Sequence, residues 1–323
     1  MNSKLLKILS LLIVIAGIAI AAYFYASKAD KKKEISNVST LNYKFGVTNA
    51  CRAVPKFIHS LKMKAPSLDS RQKDESMGLL IRDNANQHKI WQHKTWTESG
   101  YIGAFDRDNK GNIYVAPMPY VSLLKNPPEK QNQIYQIDAK TAKMSLFMKL
   151  PTQNPPNPKN PFGTMGLYYD CDTRSLYVSS LAGSLPMQER GVIYQIDVRT
   201  KKILSTLENV DAIGVGIFNT KKGKRLYYGS ARNSHLYSVA LDEKGHFKGD
   251  KKYEVSLSQV KGGDTTVIKK VQFSQIKNKI IMTLKEVEFG FRLTAENNPN
   301  KKKYAFELDK VNSKWLFQGI RRD

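Results

Sequence analysis

The chain has 323 residues, 41% of them hydrophobic, which is enough to bury the core of one large domain and excludes a chain too polar to fold. Its 52 lysines and arginines against 28 acidic residues give a formal charge of +24. Such a field attracts anionic partners, phospholipid headgroups or polysaccharide among them, although no motif specific for nucleic acid accompanies it. Two cysteines, Cys51 and Cys171, fall in neither C-x-x-C nor zinc-like spacing, so a thiolate metal site is disfavoured. The pattern favours two separate buried thiols, with pairing as the alternative in an exported domain.

In chain order, Lys4 and Lys7 precede an apolar run from Ile8 to Ala26. A bilayer needs about 20 such residues, and the run exceeds the usual signal-peptide core. Tyr23, Phe24 and Tyr25 at its end read as an interfacial belt. Residues 1–27 are therefore expected to form an uncleaved signal anchor, a transmembrane helix. Residues 28–40 are charged and Ser-rich and read as a flexible tether. Lys28 and Lys31 to Lys33 would hold the following flank inside, but long domains translocate largely regardless of charge. Residues 41–323 are accordingly expected outside the cytoplasm, periplasmic or extracellular.

Leu41 to Glu75 is the least legible part of that domain. It is expected to supply inner strands of a first module, and Leu41 to Gly46 is the candidate strand that joins the last sheet and removes an exposed edge. Downstream, one pattern recurs. GNIYVAP from Gly111 matches RSLYVSS from Arg174 and KRLYYGS from Lys224, and IYQIDAKTAKM from Ile134 is nearly repeated as IYQIDVRTKKI from Ile193. LYSVALDEKGHF from Leu236, YAFELDKVNSKW from Tyr304 and GLLIRDNANQHKIW from Gly78 keep the frame of an apolar strand followed by a polar hairpin. Period-two runs bounded by Asp, Thr, Lys and Gly read as antiparallel strands. One four-stranded sheet cannot bury both faces alone, so the copies must stack. The expectation is an all-β propeller of four-stranded antiparallel blades, with five modules counted and six blades compatible. Runs such as Lys221 to Lys224 and Lys301 to Lys303 are expected at solvated hairpin tips.

Loops leading into each inner strand converge at one end of a propeller axis. Each brings a polar group: Glu98, Asn160, Asp211 and Asp264. Loops between second and third strands add Tyr120, Ser184, Arg232 and the pair Glu286 and Glu288. Carboxylates with an amide suit Ca²⁺, which takes oxygen ligands, and Glu98, Asp211 and Asp264 are the candidate metal ligands. Arg232 suits an anionic ligand through paired hydrogen bonds. Against both stands the ordinary role of Asp in turning the chain by bonding its own backbone.

The stretch from Gly216 to Gly249, GIFNTKKGKRLYYGSARNSHLYSVALDEKGHFKG, resembles the blade pattern of the SMP-30/gluconolactonase and strictosidine-synthase-like propellers. The resemblance implies architecture, with six blades the norm there. It also implies metal-binding Asn or Asp ahead of inner strands, yet the matching positions here are Tyr101, Met165, Gly214 and Lys269. Two readings of function follow. One is a membrane-anchored propeller that binds a small-molecule or protein ligand; the alternative is a lactonase or esterase-type hydrolase with a non-standard acidic axial site.

Overall fold

Short apolar strands punctuated by aspartate turns cannot lengthen into helices, and the computed structural model has the repeat that this pattern dictates. It describes residues 44–70, 77–118, 122–291 and 301–322. The expected anchor and tether lie outside these residues, and among the described residues no helix is long and apolar enough to cross a membrane. After a two-residue strand β1 (Gly46–Val47) come five antiparallel blades. The first holds β2 (Pro66–Asp69), β3 (Leu80–Asp83) and β4 (Asn86–Trp91). The second holds β5 (Ile102–Arg107), β6 (Ile113–Pro117), β7 (Gln133–Ile137) and β8 (Met144–Lys149). The third holds β9 (Thr164–Asp170), β10 (Ser175–Ser180), β11 (Val192–Asp197) and β12 (Ile203–Glu208). The fourth holds β13 (Ala212–Thr220), β14 (Gly223–Ser230), β15 (His235–Leu241) and β16 (Phe247–Ser256). The fifth holds β17 (Val267–Ile276), β18 (Lys279–Val287), β19 (Lys302–Asp309) and β20 (Lys314–Arg322). There are five blades, not six, and the first has three strands among the described residues.

The recurring aspartate explains the recurring outer hairpin. Asp138 Oδ1 accepts from the amides of Lys140 and Thr141, and Asp197 Oδ1 accepts from those of Arg199 and Thr200. Ala142 and Lys201 then take positive φ, 60° and 58°, to turn the chain back. Asp309 repeats the device with Val311 and Asn312, followed by Ser313 at φ 53°.

Blades are held together by the two faces of each second strand. In β6, Ile113 and Val115 join Leu79 and Ile81 in the core between the first two blades, whereas Tyr114 and Ala116 join Leu176 and Val178 in the next. Tyr177 and Ile193 meet Leu226 and Val239 between the third and fourth, and Phe218 and Tyr227 meet Phe273 and Met282 between the fourth and fifth. Burial on both faces is why these strands read as continuous apolar runs. Among the described residues no such cluster joins the fifth blade to the first. The face of blade five turned away from blade four carries Lys270, Gln272, Lys285 and Lys303 in place of apolar side chains.

The ring is instead tied by a strap, residues 44–61, across the hairpin end of the axis. Gly46 and Val47 pair with Asn219 and Phe218 of β13, so this segment edges the fourth blade and not the last, contrary to the expected closure. The strap then meets the third blade, where Cys51 and Cys171 form a disulfide across 120 residues of sequence. The separate thiols expected from spacing are thus corrected: only the folded ring brings these positions to a Cα separation of 5.7 Å. Arg52 pairs with Asp106 of the second blade at 2.6 Å, lies 4.5 Å above the Tyr168 ring, and donates to Tyr169 O. Burial raises the Asp106 pKa, and Arg52 with the Tyr169 and Arg107 amides offsets it only in part. The strap ends as the amide of Phe57 donates to Ala139 O, delivering Phe57 and Ile58 to the first core. Nearby, Lys224 is no solvated tip: its ammonium is fully buried and donates to Asp170 and Asp172 at 2.7 to 3.0 Å, joining blade four to blade three. Lys302 and Lys303 also miss a tip, because they open β19, which Lys301 directly precedes.

Closing a loop of this length removes ~4–5 kcal/mol of chain entropy from the unfolded state, against about 1 kcal/mol for each net hydrogen bond of the two-residue strand. Replacing Cys51 and Cys171 by serine together should lower stability by about 2–5 kcal/mol in urea melts, and an unchanged midpoint would mean that the noncovalent strap suffices. The hairpin aspartates generate a second expectation. Backbone N–H donors, Thr141 first for Asp138 and Thr200 first for Asp197, hold both carboxyls below their ordinary 3.8. A depressed folded pKa contributes stability that is fully present above the unfolded value and lost as pH falls through the folded one. The Asp138→Asn, Asp197→Asn double variant should therefore show a flatter decline in urea midpoint below about pH 4 than the parent.

Candidate functional site

Every inner strand from the second blade onward is bulged where it begins. Register slips between Ile102 and Ala104 in β5, opposite Ser179 and Ser180 in β9, between Ala212 and Val215 in β13, and between Ile268 and Lys270 in β17. A bulge re-aims the side chain it leaves unpaired. In three blades glycine stands at or beside that point, and two of these positions are needed for close approach: a Cβ on Gly166 would lie 2.2 Å from Ile213 O, and one on Gly214 would lie 2.6 Å from Lys269 O. The fifth blade puts Lys269 there.

These four strands surround an axial cavity of about 250 Å³. Its upper wall is apolar, with Met118, Met165, Ile213 and Val287 backed by the buried Phe162 and by Phe289. Its other wall is basic: Lys269, Lys270, Lys285 and Lys303, with Gln272 and Ser70 between the fifth blade and the first. Burial, followed by the like charges of Lys301, Lys285 and Lys270, lowers Lys269 to about 8. Lys270 is exposed; the partial desolvation of its stem lowers its pKa even so, and its ammonium stands 5.9 Å from the Phe105 ring. The acidic group that bears on Lys270 is Asp106, which Arg52 already pairs. No carboxylate lines the cavity among the described residues.

The residues expected at the mouth divide into three groups. Asn160, Asp211 and Arg232 are brought together through Ser184. Asn160 Nδ2 donates to Leu181 O and to Ser184 O at 2.6 Å, Ser184 Oγ donates to Asp211 Oδ1, and Arg232 Nη2 lies 2.5 Å from Asp211 Oδ2. That last contact is one of charge, since Oδ2 receives no well-directed N–H bond. Arg232 also donates to Pro186 O and Leu185 O, and its guanidinium lies 5.1 Å from the Phe291 ring. Burial raises the Asp211 pKa; Ser184 and Arg232 offset it only in part. Asp264 belongs to a second network in blade five, bonded to Lys302 at 2.8 Å and to Thr266, which also bonds Glu286. Burial pushes the Asp264 carboxyl up, but Lys302 and Thr266 outweigh it and leave it below its ordinary value. Glu98 closes the short 3-10 turn Lys94–Thr97, is exposed near Tyr135, and has no hydrogen bond or ion pair to the other four among the described residues. Tyr120 lies outside the described residues. Glu98, Asp211 and Asp264 do not assemble: no group of three or more His, Cys, Asp or Glu side chains that could hold a metal ion occurs among the described residues.

In the sequence Lys269 stands only at an unfilled ligand position; that it and Lys270 line a cavity follows from the fold. Their signal was present, because Lys269 and Lys270 interrupt the glycine pattern of Ile102-Gly103, Met165-Gly166 and Ile213-Gly214.

No protein-family model matches the chain, and no curated protein matches it. Solved structures similar to it include the Bacteroides ovatus Xyloglucan PUL GH43B, at 10% identity over 65% of this chain and 39% of that one, with a TM-score of 0.39. A 6-phosphogluconolactonase-like protein of Bacteroides fragilis is 10% identical over 80% of this chain and 67% of that one, with a TM-score of 0.45. A member of the DUF4221 family from Bacteroides vulgatus is 11% identical over 88% and 86%, with a TM-score of 0.40. The chain spans well under half of the first of these. Likenesses this distant carry no argument about what the protein binds or turns over.

Lys269 makes the electrostatic state of the cavity measurable. Its folded pKa, about 8, lies below the ordinary 10.5, so the folded state binds fewer protons than the unfolded one between those values and stability rises with pH across them. Lys269→Met should raise the urea midpoint most at pH 7, with the gain shrinking through this window and vanishing above about pH 10.5. A pH-independent difference would mean that the lysine carries no such penalty.

Proposed function

We propose that the chain is a membrane-anchored, extracytoplasmic propeller that binds a ligand in its axial cavity. The observation that carries this reading is a contrast in charge pairing. Asp211 and Asp264 are each paired with a cation of the chain itself, whereas Lys269 and Lys270 face a cavity with no carboxylate in its described lining. A concave, largely preformed space with a few convergent polar groups is the default ligand site of a fold. The hydrolase reading has less support, because a lactonase-like metal site would need acidic ligands freed from Arg232 and Lys302, and Lys269 stands at one of the matched ligand positions. The Ile8 to Ala26 run supports the anchor, and the Cys51–Cys171 disulfide fits an oxidising compartment.

Asp211→Asn and Asp264→Asn separate the two readings. Under the binding reading the parent takes up no Ca²⁺ by calorimetry, hydrolyses no lactone or ester probe, and both variants behave likewise. Asp211→Asn should still cost about 2–3 kcal/mol, less than a fully buried broken pair, because Arg232 is partly solvated and keeps its carbonyl partners. Hydrolysis by the parent that either variant abolishes would establish the enzyme instead.

A further inference from the structure

We infer that the axial cavity binds a compact multivalent oxyanion, a small molecule bearing phosphate or carboxylate groups, with Lys269 and Lys270 as its charge partners. This rests on the ligand-binding reading and narrows the ligand. Three independent features carry it. The first is position: the bulge that begins each inner strand places Lys269 on the axis, at the point where glycine stands in or beside the bulges of blades two to four. The second is charge. Among the described residues neither ammonium has a carboxylate partner, since Asp106 is taken by Arg52. Lys269 is half-buried and Lys270 exposed, so their like charges repel across a partly solvated wall, and a bound anion offsets that repulsion while gaining charge-assisted hydrogen bonds. The third is size. At about 250 Å³ the space lies below the roughly 300–1,000 Å³ of drug-sized sites, so it suits a molecule of few atoms and not a polymer strand or a bilayer. The apolar upper wall, Met118, Met165 and Ile213, leaves room for a short carbon skeleton behind the charged groups.

The test uses the full chain in a nonionic detergent, titrated by calorimetry with pyrophosphate, citrate and glucose at an ionic strength matched with sodium chloride. Pyrophosphate and citrate separate a phosphate-type from a carboxylate-type ligand; saturable binding of either supports the inference. Lys269→Met with Lys270→Met should weaken it at least about tenfold. Lys221→Met with Lys222→Met, at an exposed hairpin, should leave it unchanged. Lys269→Gln alone, expected to weaken binding about threefold or more, serves if the double variant folds poorly. Absence of anion binding beyond the salt control, full affinity in the double variant, or an equal loss in the hairpin control would each overturn it. Glucose binding without anion binding would overturn the oxyanion and leave the binding module standing. Hydrolysis of an ester probe that depends on Asp211 or Asp264 would overturn the binding module itself.

Discussion

The tie between Cys51 and Cys171 is the constraint on which the ring depends. A propeller is a sheet array bent into a circle, and its first and last blades must be kept from separating. Here they share no apolar cluster among the described residues, and no strand of the strap completes the last blade. The strap starts against the core of blades four and five, where Phe45 and Val47 pack and Asn49 Nδ2 donates to Phe273 O, and runs past blades three and two to the first core. The disulfide fixes its middle, Arg52 fills the space beside it, and Lys224 with its two aspartates joins blades three and four near the same end. Buried ion pairs contribute little net stability once desolvation is counted, so the covalent link and the apolar anchors Phe57 and Ile58 dominate.

The strap holds the hairpin end, while the face of blade five turned away from blade four carries Lys270, Gln272, Lys285 and Lys303 at alternating positions. A seam that would ordinarily be apolar becomes the basic wall of a cavity. The same bulges and glycines that crowd the inner strands of blades two to four bound that cavity on its remaining sides. Asn160, Ser184, Asp211 and Arg232 spend their hydrogen-bonding capacity on one another and on the loops that carry them.

Much of the architecture was legible because the cause of each blade is local. The apolar alternation of Ile134 to Ile137 and of Ile193 to Ile196, with Asp138 and Asp197 turning the chain, can be read from a few residues, since strand pairing and aspartate turns depend on near neighbours. Glu98, Asn160, Asp211 and Asp264 precede β5, β9, β13 and β17, as the repeat implies. Counting strands could not say where these side chains point: Asp211 turns to Arg232, Asp264 turns to Lys302, and Glu98 meets solvent near Tyr135.

By itself, then, the sequence determined an all-β repeat, its five modules and the identity of its turns, because each rests on contacts within one blade. Only the tertiary structure decided the pairing of Cys51 with Cys171, the edge that β1 chooses, and the burial of Lys224, because each joins residues from different blades. The cavity belongs to the same class. Lys269 and Lys270 are adjacent in sequence and look like one more surface charge pair, until a bulge in β17 sets both in the lining of the axial cavity.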